Sequence, residues 1–127
     1  ARLNRDVHER AIELYNTRGT TVEEEAELCL GLLVAFAATI YDNGSKQECI
    51  QSVLDRSWEV LPKLPPSLLK VRLLTYCYGE FYDESLAKEA HEIINTWNKG
   101  ELTLEQTKIV EELKDFEENQ YPFEEIK

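Results

Sequence analysis

Methionine is missing from this chain altogether, and histidine and cysteine are scarce, with two and three among 127 residues. With no initiator at its head, the sequence is expected to be a trimmed piece of a longer product. Three cysteines are an odd number, and none stands in a CxxC pair, which argues against a disulfide framework and for a reducing compartment. Cys29, Cys49 and Cys77 each fall in an apolar helical stretch, where a free thiol packs as a small hydrophobe. His8 and His91 pair with no cysteine at ligand spacing, so no zinc site is expected. No GxSxG, phosphate loop or dinucleotide fingerprint is present, and no cofactor is expected. The longest apolar run, Cys29–Ala38, is too short to span a bilayer, and no secretory signal precedes it. Bases are outnumbered 14 to 25, for a net charge of −11. Nucleic-acid backbones attract clustered lysine and arginine, so direct DNA or RNA binding is not expected. A basic protein partner suits this charge better, and solubility alone would also account for it.

What is present is helical signal, end to end. The length implies one domain, residues 1–127, with a core of its own. Leu3, Val7, Ala11 and Leu14 repeat at helical spacing, and Arg18-Gly19 ends a first helix of about Arg2 to Asn16. Thr21 to Glu24 fits a capping box. Glu23, Glu24 and Glu25 place negative charge at the positive end of the helix dipole. From Leu28 to Tyr41 this second helix is apolar almost all round, as central helices are. Asn43-Gly44 stops it. Ser45 to Glu48 is a second capping box. It opens a helix reaching Leu61, with Ile50, Val53, Leu54, Ser57 and Leu61 on one face. Pro62 ends that helix, and Trp58 is expected to pack under the Pro62–Pro66 connection. Pro66 suits the first turn of a fourth helix, about Ser67 to Phe81. Val71, Leu74, Tyr78 and Phe81 form its apolar stripe. Asp83 can cap a fifth helix, Glu84–Asn98, and Thr103 to Gln106 is a third capping-box pattern. The sixth helix turns Ile109, Val110, Leu113 and Phe116 inward. Tyr121 and Phe123, around Pro122, could dock back as a clip.

The expected fold is therefore all-α. About six helices form antiparallel hairpins in one compact bundle: first with second, third with fourth, fifth with sixth. Gly79, Tyr82, Ala87 and Ala90 lend the middle a loose tetratricopeptide flavour, without a recurring 34-residue period.

No set of residues reads as catalytic machinery, so the chain is not expected to be an enzyme. His91 stands at the edge of an apolar face, where a histidine is more often a packed boundary residue than a general base. Glu111-Glu112 and Glu117-Glu118 read as a solvated face. Contact with a protein is the stronger reading. Arg72, Tyr76 and Glu80 form a polar stripe at i, i+4 and i+8, and Tyr82 and Asp83 extend it into the next turn. Aromatic area combined with charge is interface composition. Half-buried tyrosines with wet hydroxyls would look the same.

TYCYGE at 75–80 and AKEAHEIINTW at 87–97 resemble the UpxZ family, small antagonists of transcription antitermination in bacterial capsular-polysaccharide loci. RLNRDVHE at 2–9, GTTVEEEAELCLGLL at 19–33, LDRSWEVLPKLPPSLLK at 54–70 and ENQYPFEEI at 118–126 extend the resemblance over almost the whole chain. The resemblance implies a cytoplasmic regulator that binds NusG-like factors of the UpxY type and blocks those of non-cognate loci. Members of that family carry a further helical segment before the RLNR stretch, which is expected to be missing from this chain. The resemblance supplies no contact residues. The alternative is a generic helical-hairpin adaptor that grips a peptide in a groove between hairpins.

Overall fold

Four helix starts in this chain carry local side-chain caps, and the computed structural model shows them directly. It describes residues 15, 17–38 and 46–118. Among these, every regular element is helical: α1 (Val22–Ala38), α2 (Lys46–Val60), a 3-10 turn (Leu61–Lys63), α3 (Leu68–Phe81), α4 (Glu84–Ile94) and α5 (Leu104–Glu118). The expected first helix lies outside the described residues except for Tyr15, which is helical. The Asn43-Gly44 stop, the Ser45 cap, the Phe81 side chain in the α3 stripe and the Tyr121–Phe123 clip also lie outside them.

The described caps follow the predicted chemistry. At α1 the Glu24 amide donates to Thr21 Oγ1 at 3.1 Å, and Glu24 Oε1 accepts from the Thr21 amide at 3.2 Å. At α5 the Thr103–Gln106 box closes the same way, at 3.0 and 2.9 Å. Each box satisfies two amides that the first turn leaves without helical partners. Asp83 accepts from the Ser85 amide at 3.0 Å and so starts α4. One boundary differs from expectation. Ser67 caps α3, accepting from the Lys70 amide at 3.2 Å, so Pro66 lies just outside the helix rather than in its first turn. The α-helix before Pro62 ends as expected, at Val60, and a 3-10 turn follows. Lacking an N–H, Pro62 fits the start of the 3-10 turn, where none is needed.

The residues group into two compact units, Ala1–Pro65 and Pro66–Lys127. In the first, α1 packs on α2. Cys29, Leu32, Leu33 and Phe36 of α1 are buried with Ile50, Val53, Leu54 and Leu61 from α2 and the turn after it. The opposite side of α1 carries Glu23, Glu24, Glu27 and Gly31, so the helix is less enclosed than its apolar run suggests.

In the second unit, both α4 and α5 pack on α3. The expected pairing of the last two helices gives way to an arrangement with α3 in the middle. Val71, Leu73, Leu74, Thr75, Cys77 and Tyr78 of α3 are all fully buried, which supplies apolar surface in more than one direction. Leu86, Ala87, Ala90, Ile93 and Ile94 form the buried side of α4. Ile109 and Leu113 do so for α5, while Val110 and Phe116 are half-buried. Buried polar groups have partners: Thr75 donates to the Val71 carbonyl at 2.7 Å, and Lys70 meets Glu89 at 2.7 Å. The three cysteines are buried and unbridged, as their apolar settings predict.

Candidate interaction surface

The α3 stripe begins at half-buried Arg72 and ends at exposed Glu80. Between them, Tyr76 is half-buried against α5. Its hydroxyl bonds the Glu112 carboxylate. Its ring meets Phe116 edge-on, with centroids 5.9 Å apart and planes at 75°. Burial, with that carboxylate beside it, pushes the Tyr76 phenol up to about 12. Gly79 explains how Phe116 reaches this place: a Cβ on Gly79 would stand 3.0 Å from the Phe116 ring. Glu112, read from the sequence as part of a solvated face, is thus a tie between helices. Glu117 of the same face contacts His91 Nε2 at 3.0 Å, and His91 is exposed.

The stripe continues into a tight link. Tyr82 has φ 55° and ψ 35°, in the left-handed region, and its amide donates to the Tyr78 carbonyl at 2.7 Å. Its ring stands edge-on to buried Tyr78, with centroids 5.5 Å apart. Asp83 follows, exposed, and its bonds from the Ser85 hydroxyl and amide hold its carboxyl below the usual range. Of the five residues singled out from the sequence, Arg72, Tyr76 and Glu80 lie along α3, and Tyr82 and Asp83 form its link to α4, all in the second unit. Glu80 and Asp83 are the exposed members of the five. Arg72, Tyr76 and Tyr82 are half-buried, the tyrosines anchored to neighbouring rings.

A second constellation, in the first unit, was not anticipated. Arg56 is 7% exposed, and its guanidinium forks onto Glu25, with Nε to Oε2 at 2.7 Å and Nη2 to Oε1 at 2.9 Å. The same group donates to the Thr17 carbonyl at 2.9 Å and the Tyr15 carbonyl at 3.2 Å. Glu25 Oε1 also accepts from the Gly19 amide at 2.9 Å. The pair thus fixes the strand of chain entering α1. Gly19 is the residue this approach admits, since a Cβ there would fall 2.3 Å from the Glu25 nitrogen. The Arg56 bonds hold the Glu25 carboxyl below its usual range, and burial raises the Cys29 thiol nearby. Within the acid triplet the roles divide: Glu24 completes the cap, and Glu25 turns inward to Arg56. The available signal was an arginine beside Ser57, at the margin of the apolar stripe of α2.

Among the described residues no three side chains cluster as metal ligands, and no helix is long and apolar enough to cross a membrane. Glu24 and Asp83 serve as caps, and Glu25, Glu89 and Glu112 tie one helix to another. Such a helical protein offers a partner its surface. The model of the UpxZ family of transcription anti-terminator antagonists matches residues 1–79, and the chain belongs to that family. It is similar to the crystal structure of a transcription anti-terminator antagonist UpxZ from Bacteroides uniformis ATCC 8492. The two are 53% identical with a TM-score of 0.93, over 99% of this chain and 82% of that one. No curated protein matches the chain. The family is one of regulatory antagonists rather than of enzymes, and its antagonism implies a protein partner of the antitermination kind.

Proposed function

We propose that this protein binds NusG-like antitermination factors of the UpxY type, in the cytoplasm, and blocks those serving non-cognate capsular-polysaccharide operons. The observation that carries this reading is the family membership, together with 53% identity to an anti-terminator antagonist over 99% of the chain. The net charge of −11 is consistent with a partner that itself handles nucleic acid and so presents basic surface. The reading includes the full complement of six helices in one bundle, with its loose tetratricopeptide likeness.

The set Arg72, Tyr76, Glu80, Tyr82 and Asp83 is the contact proposed for the factor. Exposed Glu80 and Asp83 would guide association, and the anchored tyrosines would supply fixed apolar area. Rim charges of this kind act on the rate of encounter more than on the final affinity. Purified protein should retain non-cognate NusG-like factors in a pull-down and reduce their read-through of a capsule leader in a reconstituted transcription assay. Glu80→Lys should slow association and flatten its salt dependence in protein that circular dichroism shows to be folded. Retention of no NusG-like factor, cognate or non-cognate, would sink the reading.

A further inference from the structure

We infer that Arg72 is the residue by which the proposed contact selects its factor, and that its guanidinium takes a carboxylate presented by that factor. The inference deepens the proposed function and rests on it. Arg72 is half-buried on α3. Among the described residues its guanidinium makes no hydrogen bond and no ion pair. That sets it apart from the two buried cations: Arg56 forks onto Glu25 at 2.7 Å, and Lys70 meets Glu89 at 2.7 Å. Even nearer the surface, His91 meets Glu117, Lys114 approaches Glu118, and Arg18 donates to the carbonyls of Tyr15 and Thr17. Lys63, Lys88, Lys99 and Lys108 are exposed and left to water.

A chain with 25 acids does not lack carboxylates to offer this group. The one beside it is engaged elsewhere, since Glu112 accepts from the Tyr76 hydroxyl. Burial and Glu112 raise the Tyr76 phenol, and Arg72 opposes them, which places the guanidinium within electrostatic reach of that phenol. The Tyr76 ring is itself held edge-on to Phe116, with centroids 5.9 Å apart. Arg72 therefore stands one helical turn from a fixed aromatic. Arginine and tyrosine are among the residue types that dominate interface energetics. The planar fork of a guanidinium matches a carboxylate with two parallel hydrogen bonds. A partner covering Tyr76 would also strip water from Arg72, and a charge buried there without a counter-charge is strongly unfavourable. A factor that fits must then bring an acid to this place, even where the rest of its surface is basic to suit a net charge of −11. A factor with a lysine or arginine there would be rejected by like charge.

The test uses full-chain protein isotope-labelled at arginine nitrogen and a panel of purified NusG-like factors. Arg72→Lys assigns the Arg72 Nε–H resonance. A factor that binds should shift that resonance and slow its exchange with water. Arg72→Gln, shown to be folded by circular dichroism, should weaken binding by about tenfold or more. Arg72→Lys, which keeps the charge and loses the fork, should weaken it by less. Reversing the factor's acids to lysine one at a time should reveal one change that weakens binding to the wild type and is recovered by Arg72→Glu. Should Arg72→Gln not fold, the wild-type resonance and the acid reversals decide. If the wild type binds while the Arg72 resonance stays still, or folded Arg72→Gln binds within about twofold of it, Arg72 only rests its stem on the protein with its head in water. The proposal then falls and the general function survives. A loss of affinity that no acid of the factor couples to would also overturn it. If the wild type binds no member of the panel, the functional reading itself fails.

Discussion

The two units hold their helices with different chemistry. In the first, Arg56 reaches across from α2 to Glu25 on α1 and then onward to the carbonyls of Tyr15 and Thr17. In the second, Phe116 from α5 lies in the gap that Gly79 leaves on α3, with Tyr76 edge-on beside it. A guanidinium presents five donors in a fixed fork, so one residue can tie a carboxylate and two backbone carbonyls at once. That suits an irregular segment whose polar backbone must be satisfied. A ring against a glycine satisfies no backbone group, but it fixes how closely two helices approach. The charged device orders chain, and the aromatic one sets helix spacing.

That contrast can be broken by substitution. Arg56→Met should have the largest effect, about 3–5 kcal/mol, because it strands a mostly buried carboxylate and two carbonyls. Restoration by the added Glu25→Gln, measured by denaturant unfolding, would show how much of that loss is the lone charge. Loss of the tie should also expose residues 15–19 to proteolysis. Gly79→Val should come next, at roughly 2 kcal/mol, as the added methyls push against the Phe116 ring. The same change in a Phe116→Ala background should cost much less. Equal costs in both backgrounds would mean that the ring does not set the spacing.

Titration separates the two devices further. Glu25 has a lowered carboxyl pKa in the folded protein, first through the Arg56 hydrogen bonds. Its contribution is therefore present above the ordinary carboxylate value of 4.5 and is lost as pH falls through the lower folded value. Tyr76 is shifted the other way, from 10.0 to about 12. Its contribution is complete below pH 10 and is lost as pH rises toward 12. Tyr76→Phe should cost about 1 kcal/mol at neutral pH and should remove the part of the alkaline fall in melting temperature due to this phenol. An unchanged alkaline limb would show that another group governs it. Thr103→Ala should produce a loss of similar or smaller size, about 1 kcal/mol, by opening the α5 cap.

Much of this architecture was legible in the sequence because its signals are local. The Thr21 and Thr103 boxes and the Asp83 cap each lie within four residues, and the buried residues of α2 and α4 repeat at helical spacing. Who packs on whom was less legible. Periodicity shows that a face is apolar but not which helix covers it, so α3 was not recognised as the middle of its unit. The Arg56–Glu25 tie spans 31 positions and the Tyr76–Glu112 bond 36. No spacing rule connects residues so far apart, and each acid stood among other acids that looked equally solvated. The tyrosine stripe was visible as a set, but its anchoring on Phe116 and Tyr78 was not.

The link between α3 and α4 also bears on how much freedom a binding event must remove. Tyr82 occupies a left-handed conformation that non-glycine residues seldom adopt. The edge-on contact with buried Tyr78 and the amide bond to its carbonyl hold it there, and Asp83 begins the next helix at once. In the proposed contact, two consecutive residues are thus committed before any partner arrives. A surface presented from a fixed corner gives up little motion on association, so more of each contact's free energy appears as affinity. Tyr82→Gly would relieve the left-handed strain while loosening the corner. The folded protein could then keep its stability and still bind more weakly, with a larger entropic penalty measurable by calorimetry.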